Sequence, residues 1–528
     1  MIHLKSFKIY PAGMMFLYLV LFSLFISCSE DREDELSSVS QLDSFAFHPE
    51  FNKDLETIAT GTISDPGIIV SIPYGVSLDG LVATFTYSGA SVKIGNAEQV
   101  SGVTENDFSE PVVYSVIAED GTKTDYTVTV TKNLPRLPKV YINTTGGAPI
   151  LDRENYVNST VIVEDIDKYY TSEVKFTSTA GIRGRGNSTW GMDKKPYRVK
   201  LDSKASLLGM SKDKDWALLA NHTDKTLLRN ITAFEISRIA EMSWTPASVS
   251  VDFYLNGTYQ GVYGLTEHVK VSEERLDMEL VKSSDNAGEA LTGFHFDEPS
   301  KFRTDQKGLP IMFKDPDGPT DPQFEYVRNY FNTAEQVLYS DNFKHPENGY
   351  RKYIDVESFI NYYIVQELAK NVDGNMRGSC YLAIRRNGKI EQPLIWDLDI
   401  AFGNADHITW EQGASSREWD GWFIKTCSPW FDRFFEDPYF VSELKKRWNE
   451  LKPELDEIPG FIREHAFALQ DAQARNFSPK ANGGAGWSII KPEWNTIIVR
   501  GSYTAEVDYL VDFVEKRLQW LDTNINGL

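Results

Sequence analysis

Residues 355–404 read DVESFINYYIVQELAKNVDGNMRGSCYLAIRRNGKIEQPLIWDLDIAFGN, and the reading of this stretch organises the rest of the chain. Asp355 is placed as an N-cap, because its carboxylate can accept an otherwise unpaired helix N–H. Phe359, Ile360, Tyr363, Ile364 and Leu368 recur at helical spacing, which predicts a buried helix running to about Lys370. The polar run Asn371-Val372-Asp373-Gly374-Asn375 ends it. A strand is expected over Ser379 to Arg385, a tight turn at Asn387-Gly388, and a second apolar strand over Pro393 to Ile400. Side chains alternate along a strand, so Asp397 and Asp399 are expected to leave the same face.

Helix, acid-bearing loop, hairpin and acid at a strand end is the order of parts in kinase-type phosphoryl-transfer enzymes. There one Asp handles the acceptor hydroxyl and another holds Mg²⁺ on the phosphates. Asp373 and Asp397 are the candidates. Proteins without this chemistry share the same order of elements, so this stretch alone leaves catalysis open.

Upstream lies Gly181-Ile182-Arg183-Gly184-Arg185-Gly186-Asn187-Ser188-Thr189-Trp190-Gly191. Glycines let backbone N–H groups approach a phosphate, and Arg183 and Arg185 add charge. A sharp hairpin uses the same residues. A strand over Tyr197 to Leu201 follows, with Lys200 where a kinase keeps its phosphate-pairing lysine and Arg198 on the same face as a substitute. Thr223-Asp224 is read as the cap of a helix carried by Leu227, Leu228, Ile231, Phe234 and Ile239. Glu235 on that helix is the candidate partner of the lysine. A hairpin over Val251 to Tyr263 returns to Glu267.

Between Ser283 and Asp355 the sequence reads as loop-rich, with a turn at Asp315 to Asp321. His268, His295 and His407 show no ligand spacing and are assigned to structure. Trp410, Trp419, Trp422 and Trp430 are assigned to core packing rather than to a substrate groove. The chain closes on a helix from Glu506 to Ile525 with an apolar stripe.

The N-terminal part differs in kind. Residues 44–132 show period-2 strands broken by turns, which indicates an all-β sandwich; it resembles immunoglobulin-like modules of bacterial surface lipoproteins. Residues 133–138, with two prolines, form the linker, and 139–528 the second domain. Residues 1–27 combine Lys5 and Lys8 with a short apolar run, a signal segment rather than a membrane span. The run ends at Cys28, and Phe25-Ile26-Ser27-Cys28 resembles a bacterial lipoprotein signal whose Cys carries the lipid. Residues 28–43 form an acidic tether. These features place the chain in the bacterial cell envelope, lipid-anchored, on the outer membrane or its exposed surface.

Composition narrows the classes further. The 528 residues carry a net charge of −22, which argues against nucleic acid as a partner. Beyond Cys28 only Cys380 and Cys427 remain. They make neither a disulfide framework nor a zinc spacing, and leave one isolated bridge as an option.

GIRGRGNSTW, KKPYRVKL, SLLGMSKDKDWALLANHTDKTLLRN, YLNGTYQGVYGLTEHV, KNVDGN and WDLDIAFGN, in this order, resemble the CotH-type spore-coat protein kinase family. The resemblance runs from about Lys139 to the C-terminus. It implies an α+β atypical protein-kinase-like domain behind the immunoglobulin-like sandwich. It also implies ATP with Mg²⁺ or Mn²⁺ as cofactor, and transfer of the γ-phosphoryl to Ser or Thr hydroxyls of a secreted or envelope protein. By motif, Asp373 becomes the catalytic acid/base and Asp397 the metal ligand. Kinase logic adds Arg183, Gly184, Arg185, Gly186, Arg198, Lys200 and Glu235 around the nucleotide. No Asn stands four or five positions after Asp373, so Asp399 or Asn404 is the candidate second metal ligand. A spore-coat role does not carry over to an envelope lipoprotein. Two other readings compete: a non-catalytic surface protein that binds a glycan or protein partner through a kinase-like fold, and a carboxylate-pair glycosidase using Asp373 and Asp399.

Overall fold

The computed structural model describes all residues except 1–35, 74–75, 134, 279–289, 294–300, 377, 386–387, 406–414 and 494–497. Cys28 and its signal segment, His295, His407, Trp410 and Asn387 of the expected turn lie outside the described residues. Two compact units divide the chain: residues 1–72 with 77–131, and residues 73–76 with 132–528.

The first unit is all β, built from a four-stranded and a six-stranded sheet. Alternation in sequence becomes alternation in burial. In the strand Gly67–Ile72, Ile68, Val70 and Ile72 are buried while Ile69 and Ser71 are exposed. Strands Val112–Ile117 and Lys123–Lys132 close the unit as a hairpin, with Tyr114 opposite Tyr126. Rings of Phe45 and Phe85 from one sheet meet Tyr114 of the other at 5.2 and 5.7 Å, so the core lies between the sheets.

The second unit mixes sheets and helices. Its first part is a closed seven-stranded barrel, sealed by parallel pairing of Lys139–Thr144 with Ser248–Leu255. Val140, Ile182, Val199, Trp216 and Phe253 fill the inside. A five-stranded sheet and a helical body follow. The segment expected to be loop-rich contains the helix Asp321–Leu338 instead. Thr320 and Gln323 form a reciprocal capping box at its start, and Val327, Phe331, Ala334 and Leu338 bury its inner face. Thr320 to Gln323 was a legible start signal, masked by the turn residues before it.

The helix Val356–Ala369 is the axis of the helical body. Asp355 caps it, accepting from the Ser358 N–H at 2.9 Å. Every residue from Phe359 to Ala369 is buried, the pattern of a helix enclosed on all sides. Its one buried charge, Glu367, is paired at 2.6 Å with Arg517 of the C-terminal helix Tyr503–Asn526. Backbone N–H groups of Phe423 and Lys425 also donate to that carboxylate. Removing either partner would strand a buried charge, at a cost of about 3–5 kcal/mol.

Three local expectations need correction. Residues 393–400 are not a strand: only Ile390–Glu391 pairs with Tyr381–Ile384. The backbone beyond it is bonded elsewhere, with Pro393 O accepting from Trp244 N and Leu398 N donating to the Asn230 side chain. Asp397 adopts a left-handed backbone (φ 66°), so strand alternation does not govern Asp397 and Asp399. The helix after Thr223-Asp224 begins only at Arg229. Asp224 reaches forward to accept the Arg229 N–H at 2.8 Å, while Thr223 takes a different partner. The option of a Cys380–Cys427 bridge, left open by the sequence, is not taken up: both residues are buried and no disulfide joins them.

Candidate functional site

A cavity of about 480 Å³ opens in the second unit where the barrel strands Lys175–Gly184 and Tyr197–Ala205 approach the turn Val372–Gly374 and residues 396–397. Arg183, Gly184, Arg185, Gly186 and Arg198 line it together with Asp373 and Asp397. These residues are far apart in sequence, and the fold gathers them around one space.

Lys200 and Glu235 are not among the lining residues. The strand Tyr197–Ala205 buries Tyr197, Val199 and Leu201 in the barrel and leaves Lys200 exposed on the other face. Glu235 forms an ion pair with Arg238, one turn along its own helix. The expected Lys200–Glu235 pair is therefore replaced. At the cationic edge the pair is Arg198–Asp215, at 2.9 Å, with Lys270 on the other oxygen of Asp215 at 3.0 Å. Burial works to raise the Asp215 pKa, but the bonds and charges of Arg198 and Lys270 outweigh it and bring it down to about 2.

Three further basic side chains line the cavity, Arg153, Lys314 and His268. The ring of His268 bonds Val269 O through Nδ1 at 2.8 Å. Burial, then the charges of Arg198, Arg185 and Lys314, hold its pKa well below the usual histidine range, so it stands neutral. Its ring, assigned to structure from the sequence, thus forms part of the cavity wall. No spacing rule could have revealed it, because its neighbours come from other elements.

The acidic side is arranged differently. Burial, then the negative charge of Asp397, raises the Asp373 pKa to about 7. The same two causes raise that of Asp399, whose Oδ2 accepts from Thr223 Oγ1 at 2.9 Å. Ser379 Oγ donates to Asp397 at 3.2 Å. Arg185 lies over the Trp396 ring at 5.4 Å; burial lowers its pKa, and Asp397 opposes that. Asn404 spends its Nδ2 on the carbonyls of Thr223 and Asp399, leaving a buried Oδ1 with no partner among the described residues. The turn bearing Asp373 is fixed from behind: Cys380 Sγ donates to Asp373 O at 3.1 Å, and Tyr362 donates to Gly374 O at 3.1 Å. At Gly378 a Cβ would crowd the Asp373 side chain at 3.0 Å, so a larger residue there would press on that side chain.

Among the described residues, no three His, Cys, Asp or Glu close on one point as a metal cage. Mg²⁺ typically takes one or two carboxylates and completes its shell with substrate phosphates and water. Asp397, whose negative charge acts on Asp399, fits that lighter demand, while Asp399 and Asn404 are not among the residues that line the cavity. Like charges crowded in a partly buried place are what a cation would relieve.

A cationic, glycine-bearing edge facing partly buried carboxylates is an arrangement able to hold phosphate groups. The family comparison agrees with that class: the model described as CotH kinase protein matches residues 182–521, well over half of the chain. The chain belongs to the CotH kinase protein family. Residues 50–130 match a second model, described as SGBP, N-terminal. A search of curated proteins finds no match. Among solved structures, a protein of Bacteroides fragilis described as a candidate secreted protein is 24% identical. The match covers 19% of this chain and 97% of that one, with a TM-score of 0.13. A candidate glycoside hydrolase of Bacteroides thetaiotaomicron is 19% identical over 32% of this chain, with a TM-score of 0.16; the match spans 54%, about half, of that structure. No helix among the described residues is long and apolar enough to cross a membrane.

Proposed function

We propose that the second unit transfers the γ-phosphoryl of ATP to a Ser or Thr hydroxyl of a secreted or envelope protein. The observation that carries this reading is one cavity with Arg183, Arg185 and Arg198 on one side and Asp373 and Asp397 on the other. Cations bind and orient the phosphates, which is most of what a loose phosphoryl-transfer transition state requires of a protein. Asp373 orients the acceptor hydroxyl and takes its proton as the oxygen attacks. A carboxyl with a pKa near 7 suits that task, since it is substantially ionised at neutral pH yet a better base than an ordinary carboxylate. Asp397, with Asp399 or Asn404, would hold Mg²⁺ or Mn²⁺, whose chemistry is to neutralise charge on the phosphates. Incubation of the protein with labelled ATP, Mg²⁺ or Mn²⁺ and envelope proteins tests the reading. Label on Ser or Thr supports it, and ATP binding without transfer favours the non-catalytic surface-binding reading instead.

Arg198 and Lys200 separate the observed site from the expected one. Arg198→Met is expected to weaken ATP binding about 10–100-fold, the worth of a charge-assisted phosphate contact of about 1.5–3 kcal/mol. Lys200→Met is expected to leave the affinity unchanged within about twofold, because an exposed lysine off the cavity loses little on truncation. Calorimetry on both variants decides between them.

The match of residues 50–130 supports a surface-binding role for the first unit. Lipidation at Cys28 would tether both units to the envelope membrane. Cys28→Ala is expected to abolish incorporation of labelled palmitate, and labelling at the wild-type level would overturn the anchor.

A further inference from the structure

The sequence NHTDKTLLRN, residues 221–230, has no role in the mechanism so far, although Thr223 to Asn230 is buried without a break. Three of its polar side chains, those of Thr223, Arg229 and Asn230, bond the acidic turn at 397–404. Thr223 Oγ1 donates to Asp399 Oδ2 at 2.9 Å. Asn230 Oδ1 accepts the Leu398 N–H at 2.9 Å, on the peptide that follows the left-handed Asp397. Arg229 Nε donates to Ala401 O at 3.1 Å. The segment is itself stiffened, since Arg229 pairs with Asp224 at 2.6 Å with both side chains fully buried. Asn230 Nδ2 donates back to Asn221 Oδ1 at 3.1 Å.

A left-handed non-glycine residue persists only where its surroundings impose it. Here the imposition comes from the Asn230 contact on the following peptide and from Ser379 on the Asp397 side chain. The carboxylate of Asp399 is held in turn by the Thr223 hydroxyl. We propose that Thr223 is a positioning residue for Asp399, and that residues 221–230 form a brace setting the geometry of the Asp397–Asp399 turn toward a nucleotide-borne cation. The inference rests on the reading that this turn holds the metal.

Thr223→Val keeps the shape and removes only the hydroxyl, and Thr223→Ser keeps the hydroxyl. The bond from Asn404 to the Thr223 carbonyl survives both changes, since it uses backbone. ATP binding is measured calorimetrically with Mn²⁺ and with a chelator, alongside thermal unfolding of each variant without ligand. Removing a group that orients a metal ligand costs about 10–100-fold in metal affinity. Thr223→Val is therefore expected to weaken Mn²⁺-dependent ATP binding by about tenfold or more, with affinity under chelator and the melting midpoint little changed. Thr223→Ser is expected to restore binding to within about twofold of wild type. Should the valine variant not fold, Thr223→Ala carries the same expectation. Wild-type Mn²⁺ dependence in the valine or alanine variant overturns the positioning role alone. An equal loss with and without Mn²⁺ also overturns it, since the hydroxyl would then support the cavity as a whole. Wild-type protein with no Mn²⁺ dependence overturns the metal reading and the brace with it.

Discussion

Asp373→Asn is expected to lower phosphoryl transfer by about 10²–10⁴-fold, the range that a positioned general base supplies, while ATP binds as before. The amide keeps the shape of the side chain and loses the ability to take a proton. In the wild type, kcat/KM is expected to fall about tenfold per pH unit below about 7, because burial and the Asp397 charge place the Asp373 pKa there. The same shift has a sign for stability. A carboxyl whose folded-state pKa lies above its unfolded value binds its proton more tightly when folded. Its contribution to stability is therefore present in full at acid pH and is lost as pH rises through the window between about 4 and 7. Asp373→Asn removes that loss, so the variant should melt a few degrees above the wild type at pH 8 and close to it at pH 4. Thermal unfolding at the two pH values and a pH–rate profile check both halves. A profile flat from pH 5 to 8 would rule Asp373 out as the base.

Periodicity revealed the elements whose burial follows a simple rule. Phe359 to Leu368 announced the central helix, and the alternation in Gly67–Ile72 announced its strand, because each pattern follows directly from burying one face or all faces of an element. The site was legible where its residues cluster in sequence: the arginines of the glycine-rich run and Asp373 and Asp397 all line the cavity. What could not be read were pairings between elements. Lys200 and Arg198 share a face and Asp215 stands opposite Lys200 on the neighbouring strand, yet it is Arg198 that reaches Asp215 diagonally and lines the cavity. His268 and Lys314 join the site for the same reason. The misread strand at 393–400 has a local cause: its apolar run satisfies any buried backbone, and its hydrogen bonds go to Trp244 and Asn230 rather than to a neighbouring strand. The helix Asp321–Leu338 was missed although its capping box was in plain view, because the prolines and glycine just before it dominated the reading.

Asp397→Asn is the change expected to reach furthest, because Asp397 is the charge to which its neighbours respond. Asparagine tolerates a left-handed backbone about as well as aspartate, so the turn at φ 66° should survive and the Asn230 bond with it. The neutral amide is a poorer ligand for a hard cation. Mn²⁺- or Mg²⁺-dependent ATP affinity is then expected to fall by about 10–100-fold, by analogy with weakened metal-site partners, and turnover to fall with it. A second effect separates this variant from a mere loss of ligand. Asp397 contributes to the raised pKa values of both Asp373 and Asp399, so its neutralisation should let both carboxyls drop toward the ordinary range. The acid limb of any residual activity should consequently move to lower pH, opposite to the direction expected from added burial. Arg185 loses an opposing charge in the same step, which leaves its guanidinium freer for phosphate, so ATP binding under chelator should hold or tighten. Calorimetry with and without Mn²⁺ and the pH profile of the residual rate measure these separately. Equal Mn²⁺–ATP affinity in wild type and variant would remove Asp397 from the metal site, and an unmoved acid limb would mean that its charge does not act on Asp373.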